Sequence, residues 1–201
     1  MALQLLLIRH GQIKANVEKR WHGSTDSPLT RTGKRQAKKL GAHFKKSSLN
    51  LSAIYTSALM RTQQTAVPMS EHLEIEPQVN ADLGEYHIGE WEAEFFKILH
   101  EERNFVAKAT TDPNYRPPGG ESLNEVATRI TQAITEIHDR HQDDECVAIV
   151  SHGAAMAIAL GVLVDGDPAR WTDYHFSNCS ITELVMRPTP HVNQFNQITH
   201  L

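Results

Sequence analysis

Two cysteines in 201 residues, Cys146 and Cys179, are too few for a disulfide framework and have no zinc-knuckle spacing. Cys146 opens an apolar run and reads as a small core residue. No apolar stretch approaches the ~20 residues that a membrane-spanning helix needs. The first residues have no basic n-region, and their short apolar run stops at Arg9, so they do not read as a secretory signal. The expected compartment is the cytoplasm, with no membrane partner. Internal repeats, low-complexity tracts and linkers are missing as well, which leads to one domain over residues 1–201. No Gly-x-Gly-x-x-Gly follows the first apolar run, and this sets aside a dinucleotide site.

A large charge excess is also missing. A net charge of −4, with 22% charged and 40% hydrophobic residues, describes a globular chain and neither a disordered one nor a general polyanion binder. The distribution is uneven. Residues 1–46 hold eleven Lys and Arg against Glu18 and Asp26, a local balance of +9 that leaves −13 for the remainder. Lys34, Arg35, Lys38, Lys39, Lys45 and Lys46 read as the solvated face of a helix, with a secondary role in steering a small anion. Little aromatic surface is interleaved with them, which argues against nucleic acid.

What is present centres on residues 5–8, four apolar residues that run into Arg9-His10-Gly11. Such a run reads as a strand buried on both faces, as in a parallel sheet. The pattern returns at 147–150, followed by Ser151-His152-Gly153. Two such strands deliver two imidazoles to the carboxyl edge of one sheet, where open α/β folds bind ligands.

Between and around them, Thr30 is placed to cap a helix whose Ala37, Leu40 and Phe44 face the core. Residues 53–56 read as a strand. Ser57 then caps a helix holding Arg61, which Pro68 should kink or end near Val67. Residues 86–118 read as an irregular excursion covering the sheet edge. Ser122 and Glu125 form a capping box ahead of an amphipathic helix through Ile137. His138-x-x-His141 reads as a solvated helix end. A helix over 153–163 and two closing strands, 182–186 and 192–199, complete an alternation that argues an α/β domain with a largely parallel sheet.

Arg9, His10, Arg61, Glu85 and His152 together suit phosphoryl transfer. Charge in that reaction spreads over the equatorial oxygens, so positioning and charge complementarity do most of the work. Arginine offers paired donors with a geometry that lysine cannot match. The start of the helix after His152 adds N–H groups for an anion. A neutral imidazole is a competent nucleophile, so one of the two histidines could carry a covalent phosphoryl group, and the other is more useful protonated. Glu85 fits the general acid for the leaving alkoxide and then the base for water. That role calls for a raised pKa, expected from burial beneath Tyr86 and Trp91.

Arg9-His10-Gly11 with Asn16 resembles the signature of the histidine phosphatase superfamily, in the branch that includes cofactor-dependent phosphoglycerate mutase. Further blocks match in the family's order. They are Gly23-x-x-Asp26-x-Pro28-Leu29-Thr30-x-x-Gly33-x-x-Gln36-Ala37, Thr56-Ser57-x-Leu59-x-Arg61-Thr62-x-x-Thr65-Ala66, and Glu85 with Gly89-x-Trp91-Glu92. Gly119-Gly120-Glu121-Ser122, Ser151-His152-Gly153 and Asn178 follow. The resemblance implies a three-layer α/β/α sandwich, no metal or other cofactor, His10 as phosphorylated nucleophile and Glu85 as proton donor. It also implies a phosphate pocket of Arg9, Arg61, His152 and Asn16, with His22, Gly23 and Gly153 at the ligand. His22, His87 and Ala93 depart from the family's usual residues, and this bears on substrate choice.

The leading expectation is a metal-independent phosphomonoesterase acting on a small phosphorylated metabolite. A phosphoglycerate mutase is the alternative. Mutases of the family carry a longer clamping insertion, whereas 94–118 is short and its only arginines and tyrosine are Arg103, Arg116 and Tyr115. A catalytically silent binding protein on the same fold is a third reading, weakened because His10 and Glu85 are both kept. A monomer and a homodimer are equally compatible with the sequence.

Overall fold

The computed structural model describes residues 3–47 and 49–201. Along the chain come β1 (Gln4–Arg9), α1 (Lys14–Glu18), α2 (Arg31–Lys46), β2 (Leu51–Thr56), α3 (Met60–Leu73), β3 (Gln78–Val79), α4 (Phe96–Glu101) and α5 (Phe105–Thr111). They are followed by α6 (Leu123–Asp139), β4 (Cys146–Ser151), α7 (Gly153–Leu163), β5 (Ile181–Val185) and β6 (His191–Gln197). The six strands form one sheet in the order β3-β2-β4-β1-β5-β6.

The sheet has two buried faces, which is why β1 and β4 read as unbroken apolar runs. Leu5, Leu7, Val147 and Ile149 point into a core shared with α6 and α7. Leu6, Ile8, Ala148 and Val150 point the opposite way, against Leu40 and Phe44 of α2 and Ala66 and Met69 of α3. This is the expected three-layer α/β/α arrangement. The sheet is mixed: β1, β2, β3 and β4 pair in parallel, while β5 is antiparallel to β1 and β6 to β5.

Local signals placed most helices. Thr30 Oγ1 accepts from Gly33 N at 3.0 Å and starts α2. Ser122 and Glu125 form the reciprocal box that opens α6. The six cations of the α2 face are exposed.

Three expectations are corrected. Of the two outcomes expected at Pro68, a kink or an end near Val67, the end is ruled out, since α3 continues to Leu73. An added Cβ at Gly41 would lie 2.6 Å from the Pro68 carbonyl oxygen, so α2 and α3 press together at this point and tertiary packing carries the helix past the proline. His138 and His141 are not solvated. His138 is buried with Nδ1 on Asp139, and His141 is held by the Tyr55 hydroxyl at 3.2 Å and Glu145 at 2.8 Å. Residues 86–118 hold a 3₁₀ turn, α4 and α5 in place of an irregular stretch.

Among the described residues, no helix is long and apolar enough to cross a membrane.

Candidate active site

The site is built where β1 and β4 end side by side. Their parallel register sets Arg9 opposite Ser151, so Arg9-His10-Gly11 and Ser151-His152-Gly153 leave the sheet at one edge. His10 N donates to Ser151 O at 3.0 Å, and the two imidazole rings lie edge to face with centroids 5.3 Å apart.

His10 is almost wholly buried, with Nδ1 2.8 Å from the Gly11 carbonyl. A carbonyl only accepts, so the proton sits on Nδ1 and the Nε2 lone pair is left over. Among the described residues Nε2 has no hydrogen-bond partner, and His10 lines a cleft at this sheet edge. Burial, then the Arg61 and Arg9 charges, push its pKa well below the usual imidazole value. The ring is neutral at pH 7.

His152 is also fully buried. Arg61 Nε donates to its Nδ1 at 3.2 Å, which places the proton on Nε2, 2.8 Å from Ser57 Oγ. Burial and then Arg61 depress its pKa well below the imidazole norm. The second histidine was expected to be useful protonated; beside a guanidinium and out of water it is neutral.

Arg61 is 0% exposed, and its fork is already engaged. Nη1 donates to Thr25 O at 2.8 Å, and Nη2 donates to Gly23 O at 2.8 Å and His22 O at 3.2 Å. It ties residues 22–25 to His152 and does not reach the cleft surface. Glu92 closes the same loop from outside by accepting from Gly23 N at 2.9 Å, Ser24 N at 3.2 Å and Thr25 Oγ1 at 2.9 Å. Burial opposes ionisation of Glu92, but these bonds outweigh it and lower the pKa. Gly23, expected at the ligand, is not among the cleft-lining residues and is tightly packed: a Cβ there would fall 2.3 Å from Tyr86 O.

Arg9 does line the cleft. One Nη donates to Phe176 O, while Nε is buried with no partner among the described residues. Burial lowers its pKa, against the pull of Glu85. Gly153 lies beneath it, and an added Cβ would come 3.3 Å from Arg9 Nε.

Glu85 closes the ring of site groups. Apolar cover by Tyr86 and Trp91 was expected, but polar donors surround its carboxylate. It accepts from Tyr86 N at 2.9 Å, Ala154 N at 3.1 Å and Ala155 N at 2.8 Å. Glu85 thereby caps α7 from outside and occupies two of the helix-start donors expected for an anion.

Asn16 and His22 line the cleft with Arg9, His10, Glu85 and Gly153. Asn16 Oδ1 accepts from Ile13 N and Asn178 Nδ2, leaving its amide NH₂ for a ligand. Asn178 also donates to His10 O at 3.0 Å. Burial, then Arg61, lower the His22 pKa.

The cleft encloses ≈ 380 Å³. Trp171, Thr172, Tyr174, His175 and Phe176 form much of its wall and were not foreseen. The only signal was the aromatic density just ahead of β5. Ser57 was read as a helix cap; its contact with His152 is a long-range product of the fold. Thr65 Oγ1, holding Gly11 N at 2.9 Å, is another such contact.

Comparison with known proteins agrees with this construction. A family model for the histidine phosphatase superfamily (branch 1) matches residues 5–197. The probable phosphoglycerate mutase GpmB of Salmonella choleraesuis is 35% identical over 191 residues, covering 90% of this chain and 84% of that protein. A phosphoserine phosphatase of Entamoeba histolytica, solved with 3-phosphoglyceric acid, superposes with a TM-score of 0.86 at 26% identity over 99% of both chains. A mycobacterial glucosyl-3-phosphoglycerate phosphatase solved with VO3 gives a TM-score of 0.85 at 27% identity, over 97% of this chain and 99% of that one. With its two His-Gly strand ends on one sheet edge and a family match across nearly its whole length, this chain belongs to branch 1 of the histidine phosphatase superfamily.

Proposed function

We propose that this protein is a metal-independent phosphomonoesterase that hydrolyses a small phosphorylated metabolite through a phosphohistidine at His10. One observation carries the reading: His10 is a neutral imidazole, tied by Nδ1 to Gly11 O, with its Nε2 lone pair uncommitted on a cleft-lining residue. In the first step Nε2 bonds to phosphorus, the ester P–O bond breaks, and Glu85 gives its proton to the departing alkoxide. In the second, water attacks phosphorus and Glu85 takes its proton. The P–N bond breaks, releasing phosphate and neutral His10. Arg9, the Asn16 amide and the backbone at Gly153 are placed for the phosphoryl oxygens. Arg61 and His152 stand behind the nucleophile, one supplying positive charge and both holding its surroundings in place.

A second reading, phosphoglycerate mutase, draws on the relative of that printed name. Arg103 and Arg116, the arginines of the 94–118 segment, are paired with Glu94 and Glu125, and neither lines the cleft. That favours transfer to water.

Rapid quenching during turnover of a ³²P-labelled ester, with EDTA present, tests the proposal. An acid-labile, base-stable phosphoprotein mapped to His10 and absent from His10→Ala supports it. Activity lost to EDTA, or retained by His10→Ala, overturns it. Whatever 3-phosphoglycerate is turned over should release free phosphate; 2-phosphoglycerate in its place would favour the mutase.

A further inference from the structure

Away from His10, the same cleft changes character. Trp21, Phe96, Val106, Ala157, Trp171 and Phe176 form its wall, and the polar handles of its aromatic residues are turned elsewhere. Trp21 Nε1 donates to Tyr86 O at 3.0 Å, and the Tyr174 hydroxyl donates to Asp165 at 2.8 Å. Trp171 Nε1 is sealed from solvent, so only ring carbon of that residue reaches the cleft.

The cations near the wall are no better placed to receive a second anionic group. Arg20 stacks on Phe95, its guanidinium carbon 3.6 Å from the ring centroid, donates to Ala93 O at 2.8 Å and lies 3.5 Å from Glu18. The depressed pKa of His22 keeps it neutral. Among the described residues no lysine lines the cleft. Thr172 and His175 also line the cleft and are exposed. A carboxylate or second phosphate placed beyond the phosphoryl site would still meet mostly carbon after losing its water.

We propose, building on the phosphomonoesterase reading, that the preferred substrates are monoesters of uncharged apolar alcohols, aliphatic or aromatic, because the cleft beyond His10 is walled mostly by carbon and Arg20 there is already engaged. Acidic phospho-metabolites such as phosphoglycerates are then poor substrates. Binding in this cleft strengthens with each methylene that reaches the Trp21–Trp171 wall, about fourfold per group.

Calorimetry with n-alkylphosphonates tests this, since they bind without turning over and the result does not depend on hydrolysis. Ethyl-, butyl- and hexylphosphonate should bind progressively more tightly, about fourfold per added methylene until the wall is covered. Phosphonoacetate and 3-phosphonopropionate should bind more weakly than their methyl-terminated counterparts. Trp171→Ala and Phe96→Ala should each flatten the chain-length dependence, read as the ratio of hexyl- to ethylphosphonate affinity within each variant. Affinity that is flat with chain length, or higher for the carboxylated probes, overturns the proposal even where His10 phosphorylation has been demonstrated. Tightening with chain length supports it even where that phosphorylation is not found.

Discussion

Burying two neutral imidazoles side by side makes stability depend on pH in a way that can be measured. His10 and His152 both have folded-state pKa values held well below 6.5, chiefly by burial and then by Arg61. In the unfolded chain each returns to about 6.5. Between those limits the unfolded state binds protons that the folded state refuses, so stability rises with pH. It is lost as pH falls from 6.5 toward the lowered folded values. Each histidine contributes a slope of about 1.4 kcal/mol per pH unit, and the pair about 2.7. The loss at pH 5.5 relative to pH 7.5 is then about 3 kcal/mol, a large share of a typical domain's 5–15 kcal/mol. His22 and His200 shift in the same direction but are more open to water and add less. Glu92, lowered from the carboxylate norm, acts in a separate window, below about pH 4.5. Urea midpoints at pH 7.5, 6.5 and 5.5 provide the assay, with His10→Asn and His152→Asn each removing about half the dependence. A midpoint that does not move between pH 7.5 and 5.5 would refute the reasoning, as would a slope unchanged in both variants.

Three further outcomes are expected. Ser57→Ala removes the 2.8 Å partner of His152 Nε2 and leaves a buried N–H unsatisfied, costing about 1–3 kcal/mol. It should lower kcat more than it raises KM, with Ser57→Thr restoring part of both; wild-type kinetics in the alanine variant would remove Ser57 from the positioning of His152. Glu85→Gln should slow hydrolysis of alkyl phosphates far more than of nitrophenyl phosphate, whose leaving group needs no proton, and equal losses on both would remove Glu85 from the acid role. Glu92→Gln weakens the charge-assisted bonds that close residues 23–25, costing about 1–3 kcal/mol, and should raise KM, read from denaturation and initial rates. An unchanged urea midpoint would show that the loop is held by Arg61 alone.

Strand and helix identities were legible because they rest on short-range patterns. The apolar runs of β1 and β4, the Thr30 cap and the Ser122/Glu125 box each state their element within a few residues. That α3 continues past Pro68 was not legible, because its packing neighbour Gly41 lies 27 positions away in the chain. Residues 86–118 were misread as irregular because α4 and α5 are too short to show periodicity.

The sequence by itself determined the inventory of the site: which imidazoles, arginines and carboxylate exist, and that two His-Gly steps follow buried strands. Only the tertiary structure decided what those groups face. It put Arg61 on the carbonyls of residues 22–25 and on His152, and it set Ser57 against His152 and Glu85 on the start of α7. The physical reason is that a hydrogen bond is chosen by distance in space. Donors 36 to 95 positions apart in the chain become neighbours only once the sheet has closed its register.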